Sequence, residues 1–253
     1  MKPLFPAVLI AIFTYVACRT IPEDPMQRRL FKHYYGKGTL PIAEPEYDSI
    51  WTLLQTDSGI ILYEKLFLDY LYGDTLSLED ARFLYYGYIY TARYLPVYPA
   101  EPYLDSAISL IFQPDSINRQ WQLIIASSLL DSILAVDPFN LEALFLYMTL
   151  CDELNDSLCV EVSIARMSNV INAIMSSGTG RKPALAIDVV AMPHIDNILF
   201  FFALPEKKRK TKQWQDRALI KVILKPNTSY IKRLYYDITP IHKWLNALDT
   251  AGY

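Results

Sequence analysis

The chain has 253 residues, 52% hydrophobic and 20% charged. That length can supply a full core, and the composition excludes an intrinsically disordered chain. The formal net charge of −3 gives no basis for a nucleic-acid-binding domain, which is ordinarily basic. With 8 Gly against 16 Pro and 19 Tyr, the connections read as ordered and aromatic more than as flexible linkers.

In chain order, Lys2 precedes an uncharged, mostly apolar run from Leu4 to Val16. At about 1.5 Å of rise per residue, such a run is too short for a hydrocarbon layer of about 30 Å. It gives way to Arg19, Thr20, Glu23 and Asp24, the pattern of an export signal. Tyr15-Val16-Ala17-Cys18 resembles the lipobox of bacterial lipoproteins. The resemblance implies a signal peptide over 1–17, cleavage after Ala17 and diacylglyceryl attachment to Cys18. It also implies a membrane anchor and an envelope location, on the periplasmic side or the cell surface.

Residues 18–45 read as a tether with a short helix at 25–34. A helical pair follows over 46–55 and 59–72, with Ile61, Tyr63, Leu66, Phe67 and Tyr70 at helical spacing. Ser77 is a candidate cap for the next helix; Asp80 holds the capping-box position and Glu79 suits the positive end of the helix dipole. Pro96, Pro99 and Pro102 then predict an extended, polyproline-like path over 94–103. Further helices are predicted over 104–111, 117–136, 141–154 and 158–175.

Around Ala126, Leu130, Pro138, Asn140 and Ala143 the chain resembles a tetratricopeptide hairpin, for about one and a half repeats; three or more are usually needed for a stable solenoid. Cys151 and Cys159 flank a predicted turn at Asn155-Asp156. They have two readings: a disulfide in an exported chain, or two small hydrophobes among apolar neighbours. They define no metal site.

Past Ser176 the pattern changes. A buried strand is predicted over 185–191, a short helix or turn over 194–202, and strands over 217–224 and 230–238 forming an antiparallel hairpin. The expected fold is α+β and predominantly α. TPR-like antiparallel helical pairs occupy 46–177, and a small α+β unit with an antiparallel sheet occupies 178–253, docked on the helices.

Several phrases carry a wider resemblance: the lipobox-like start, Glu46-Tyr47-Asp48, Asp74-Thr75-Leu76-Ser77-Leu78-Glu79-Asp80 leading to Leu84-Tyr85-Tyr86-Gly87, Asp137-Pro138-Phe139-Asn140, and Leu234-Tyr235-Tyr236-Asp237-Ile238. Together they resemble an uncharacterised family of bacterial envelope proteins, the domain-of-unknown-function family forty-nine nineteen, over nearly all of the mature chain. The resemblance implies location and architecture, and no catalytic residues.

Seven tyrosines fall between Tyr85 and Tyr103. Tyrosine joins an apolar face to a hydrogen-bonding tip, so Tyr86, Tyr90, Tyr94, Tyr98 and Tyr103 are candidate ligand contacts. Leu84, Tyr85 and Tyr88 share a helical face with Ala81, which is core spacing. Lys207, Lys208, Arg209, Lys210 and Lys212 are candidate contacts for phosphate, anionic lipid headgroups or an acidic partner; the alternative is a solvated loop. His194 lies near Asp188 and Asp196 in sequence, yet no serine elbow, zinc-binding helix or phosphate loop accompanies it.

The sequence therefore points to a lipid-anchored envelope protein that binds or scaffolds a protein segment or oligosaccharide, with no cofactor, metal or nucleic acid. The rival reading is a hydrolase of envelope polymers using carboxylates such as Glu79, Asp80, Asp188 or Asp196. The anchor has a direct test. Radiolabelled palmitate should enter the wild-type protein in bacteria and fail to enter Cys18→Ala; equal incorporation would remove Cys18 as the lipid site.

Overall fold

The computed structural model describes residues 41–96, 100–113 and 118–251. The expected signal peptide, Cys18, the helix at 25–34 and Tyr98 lie outside the described residues. The first described helices are α1 (Tyr47–Leu54), α2 (Asp57–Tyr72) and α3 (Leu78–Gly87). Local chemistry sets their ends. Thr56 Oγ1 accepts from the Gly59 amide at 3.0 Å, which satisfies one of the orphan donors at the start of α2. Gly73, at φ 85°, ends α2 in the left-handed conformation that glycine adopts at least cost. Ser77 Oγ accepts from the Asp80 amide at 3.1 Å and donates to the Asp80 carboxylate at 2.7 Å, so the capping pair at α3 is as the sequence indicates.

Four helices follow: α4 (Glu101–Phe112), α5 (Arg119–Val136), α6 (Leu141–Glu153) and α7 (Ser157–Met175). The extended path expected through Tyr103 is corrected here. Pro102 sits in the first turn of α4, where a missing N–H breaks no helical bond, so Tyr103 is helical. Asn140 caps α6 through the Ala143 amide at 2.9 Å, and Asp156 caps α7 through the Cys159 amide at 3.0 Å. A Cys151–Cys159 disulfide joins α6 to α7. α4 pairs with α5 and α6 with α7, while α3 also packs on α7. α7 is long and apolar enough to cross a membrane by length and composition, but Met167, Val170, Ile171, Ala173 and Ile174 are buried in the core.

The remainder comprises β1 (Ile187–Asp188), α8 (Pro193–Phe201), β2 (Glu206–Trp214), β3 (Arg217–Leu224), β4 (Arg233–Asp237) and α9 (Thr239–Ala251). The strand order is β1-β4-β3-β2. β3–β4 is antiparallel as expected, β2–β3 adds an antiparallel pair that the sequence did not indicate, and β1 pairs with β4 in parallel, so the sheet is mixed. The strand expected over 185–191 shrinks to two residues. The basic run is not a loop; it forms most of β2, which among the described residues pairs with β3 alone. Lysine is a common device for keeping such an edge from pairing with other chains, and it erases the alternation by which strands are read. α9 has no counterpart in the sequence reading.

One hydrophobic cluster runs from Tyr63 of α2 to Ile241 of α9. It takes in Ala218, Ile220 and Val222 of β3 and Leu234 and Tyr236 of β4, residues two apart that share the helix-facing side of the sheet.

At its centre stands Phe139, 1% exposed, in the turn between α5 and α6. Its ring lies 5.0 Å from Tyr88, 5.1 Å from Tyr70, 6.0 Å from Tyr85 and 6.4 Å from Phe67. The turn's carbonyls are equally engaged. Tyr70 Oη donates to Pro138 O at 2.6 Å, and His194 Nε2 donates to Phe139 O at 3.0 Å. Replacing Phe139 with Ala should cost about 3–5 kcal/mol, read as a lowered midpoint in urea unfolding; a loss below about 1 kcal/mol would show that the ring is not the centre of the core.

Candidate functional site

The candidate tyrosines divide by where their elements carry them. Tyr86 on α3 is fully buried, its hydroxyl donating to Ala173 O at 3.1 Å. Tyr94 is 9% exposed and donates to Val190 O at 2.9 Å. Both rings are core, with no face left for a ligand, which corrects their assignment as contacts. Tyr90 is half-buried, bonds Tyr47 O at 3.1 Å and lies 5.0 Å from the Trp51 ring. Tyr103 is exposed on α4. Among the described residues, the structure therefore brings no tyrosine patch together at the surface.

After Tyr94 the chain lines a cleft of about 330 Å³. Leu95, Pro96, Ala100 and Leu104 line it together with Asp137, Asn140 and Glu142 and with Met192, Asp196 and Asn197 of the α8 region. The sequence singled out none of Asp137, Asn140 and Asn197 as site residues. Asn197 is buried, and its Oδ1 has no hydrogen-bond partner. The Asp137 carboxylate accepts from Asn140 Nδ2 at 3.1 Å, and burial pushes its pKa up to about 6. The cleft therefore offers acceptors.

Phe139, between Asp137 and Asn140 in the chain, belongs to a proton-ordered series of hydrogen bonds. Because Phe139 O can only accept, His194 Nε2 carries the hydrogen in neutral imidazole, and Nδ1 accepts from Tyr85 Oη at 2.7 Å. Tyr85 Oη in turn accepts from the Val190 amide at 3.2 Å. Burial pushes the His194 pKa down to about 4. Each ring atom of His194 has a structural partner, which is the role of a core histidine.

The other carboxylates are committed. Glu79 and Asp80 sit in the first turn of α3. Asp188 and Asp237, side by side at the ends of β1 and β4, both bind the Arg217 guanidinium, which also meets Glu44 at 2.9 Å. Burial, then Asp237, holds the Asp188 carboxyl well above the usual carboxylate range. Asp196 binds Arg209. Arg209 is thereby separated from the other cations of its run: it turns to the helix-facing side of β2 and holds Asp196 and Glu206, so it is not available to an anionic partner. Lys207, Lys208, Lys210 and Lys212 are exposed.

A family model for the domain of unknown function DUF4919 matches residues 48–246, which include all the elements from α2 to β4. No curated protein and no solved structure matches the chain.

Asp137 and His194 have opposite effects on stability in acid. His194, with its pKa lowered in the fold, favours unfolding as pH falls from about 6.5 toward 4. Asp137, with its pKa raised, binds its proton first in the folded state and opposes that loss as pH falls through about 6. Asp137→Asn should therefore steepen the acid-side decline in stability between pH 6.5 and 4 by about 2 kcal/mol. Urea unfolding across that range measures it, and an unchanged slope would contradict the assignment.

Proposed function

The chain belongs to the family of the domain of unknown function DUF4919, and from that starting point we propose a lipid-anchored cell-envelope protein that binds or scaffolds without catalysis. TPR-like helical pairs present the cleft, and the ligand is a protein segment or oligosaccharide bearing hydrogen-bond donors. Lipid on Cys18 and an envelope location rest on the sequence pattern around Cys18.

The observation that carries the binding reading is the cleft lined by Asp137 and Asn197, in which Asn197 keeps its Oδ1 buried without a hydrogen-bond partner. Leaving a buried polar atom unpaired costs about 1–3 kcal/mol, which a side-chain rotation that turns Oδ1 to a ligand N–H or O–H recovers. Leu95 and Pro96 supply apolar lining, and the Asp137 carboxylate adds an acceptor. Sugar hydroxyls and peptide amides both meet that demand.

The hydrolase reading keeps one supporting observation. Asp137, with a pKa pushed up to about 6, shares the cleft with Asp196, a combination of acid and carboxylate that hydrolysis of a glycosidic bond uses. Against it, Asp137 is tied to Asn140 and Asp196 to Arg209.

Asn197→Leu separates a binding cleft from a merely imperfect core. Replacing an unsatisfied polar group with an apolar one of similar size is neutral or stabilising, so the thermal midpoint should hold or rise. Titrated against arrays of envelope oligosaccharides and extended peptides, the variant should lose at least tenfold in affinity for whatever the wild type retains. A variant that binds every such ligand as well as the wild type would end the cleft proposal.

A further inference from the structure

The net charge of −3 conceals a segregation. Residues 46–177 hold 18 Asp and Glu against 5 Lys and Arg, a formal −13. Residues 178–253 hold 13 Lys and Arg against 6 Asp and Glu, a formal +7. The sheet sorts this charge again by face. Lys208, Lys210 and Lys212 of β2 stand opposite Ile223, Lys221 and Leu219 of β3, and Ile223 and Lys221 stand opposite Arg233 and Tyr235 of β4. These positions alternate with the core-facing ones, so they share the side turned away from the main core. Leu219 and Tyr235 pack there with Ala186 in a small separate cluster, against which Trp214 of β2 also lies. Among the described residues, none of Lys208, Lys210, Lys212, Lys221 and Arg233 joins an ion pair.

The same face carries an open concavity of about 450 Å³. Arg181, Lys221, Lys232 and Arg233 line it together with Tyr230, and no acidic residue does. Tyr230 is 91% exposed and adopts φ 54°, a conformation unfavourable for a bulky side chain. The loop enforces it: Asn227 Nδ2 donates to Lys225 O at 2.9 Å and to Ile231 O at 2.7 Å, while Asn227 Oδ1 accepts from the Ile231 amide at 3.2 Å. An aromatic ring is thus held out in solvent beside four cations.

We propose that this sheet face docks on an anionic phospholipid bilayer, the concavity taking a lipid phosphate and Tyr230 lying at headgroup depth. Two observations select a bilayer. The cations spread across three adjacent strands, a breadth that suits a surface more than a single extended chain. An exposed Tyr beside Lys and Arg is the side-chain set of a membrane interface. Charge attraction acts on this face with or without a lipid on Cys18.

Lysine acetylation footprints of the full-length chain test it, taken on vesicles of phosphatidylcholine alone and of phosphatidylcholine mixed with phosphatidylglycerol. On the mixed vesicles, labelling of Lys208, Lys210, Lys212 and Lys221 should slow about tenfold. Lys65 of α2 should be unchanged, and high salt should abolish the difference. Equal footprints on the two vesicle types would overturn the proposal, as would equal protection by polyglutamate or a single-stranded oligonucleotide without vesicles. Loss of the anchor reads out separately, as failure to float with pure phosphatidylcholine. In a Cys18→Ala background, Lys208→Gln, Lys210→Gln and Lys212→Gln together should lower partition onto mixed vesicles about 100-fold, at about fivefold per charge. An unchanged partition with an unchanged thermal midpoint would also overturn it.

Discussion

The fold depends on how the turn Asp137-Pro138-Phe139-Asn140 is satisfied. Such a turn, driven into a core, carries backbone carbonyls that must find donors. Here the donors come from three distant places. Tyr70 on α2 reaches Pro138 O, joined by Arg166 of α7 at 3.4 Å, and His194 on α8 reaches Phe139 O. Asn140 caps α6 while bonding Asp137. One buried turn thus fixes α2, α7 and α8 against the α5–α6 junction, and its Phe139 ring occupies the space among the tyrosines. The neutral state of His194 follows from this arrangement, since a second ring proton would confront the Tyr85 hydroxyl where an acceptor is needed.

This explains why the tyrosine-rich stretch misleads as a surface. Tyrosine is as useful for donating to buried carbonyls as for meeting a ligand. Tyr70, Tyr86, Tyr88 and Tyr94 each do the former, to Pro138, Ala173, Arg93 and Val190. Sequence spacing marked Tyr85 and Tyr88 as core because the helical period reports which face is buried. It could not do so for Tyr94, which lies outside any regular element. The acceptors, backbone carbonyls up to about a hundred residues away, leave no trace in local pattern.

What was legible was local. Ser77 announces a helix start through side-chain chemistry acting within three residues, and β3 shows a mostly apolar run, broken by Lys221, because it is the inner strand between β2 and β4. β2 was not legible, since its strand character comes from pairing with β3 while its side chains serve the opposite purpose of keeping an edge soluble. The parallel β1–β4 contact was equally hidden, being two residues long and joined across 45 or more residues of chain. The cleft was not legible. Its acceptors, Asp137 and Asn197, come from a helix C-terminus and a helix interior far apart in sequence, brought together in a region where Phe139 O accepts from His194.

The segregation of charge also constrains how the two parts of the chain are joined. Acidic helices and a basic sheet attract across their boundary, yet the links among the described residues are few. Arg217 is the principal one, holding Asp188 and Asp237 within the sheet and Glu44 from the segment that enters α1. Arg82 of α3 binds the carbonyls of Ala43 and Glu44, at 2.9 and 3.0 Å, and Ser176 Oγ at 2.8 Å. Residues 43–44 are therefore clamped from both sides, by an arginine of the helices and an arginine of the sheet. Arg217 is thus paired with carboxyl groups of the sheet and of the entering segment, and not with the acidic helices. The lysines of β2 lie on the far edge of the sheet from β1, and their charge is left facing outward.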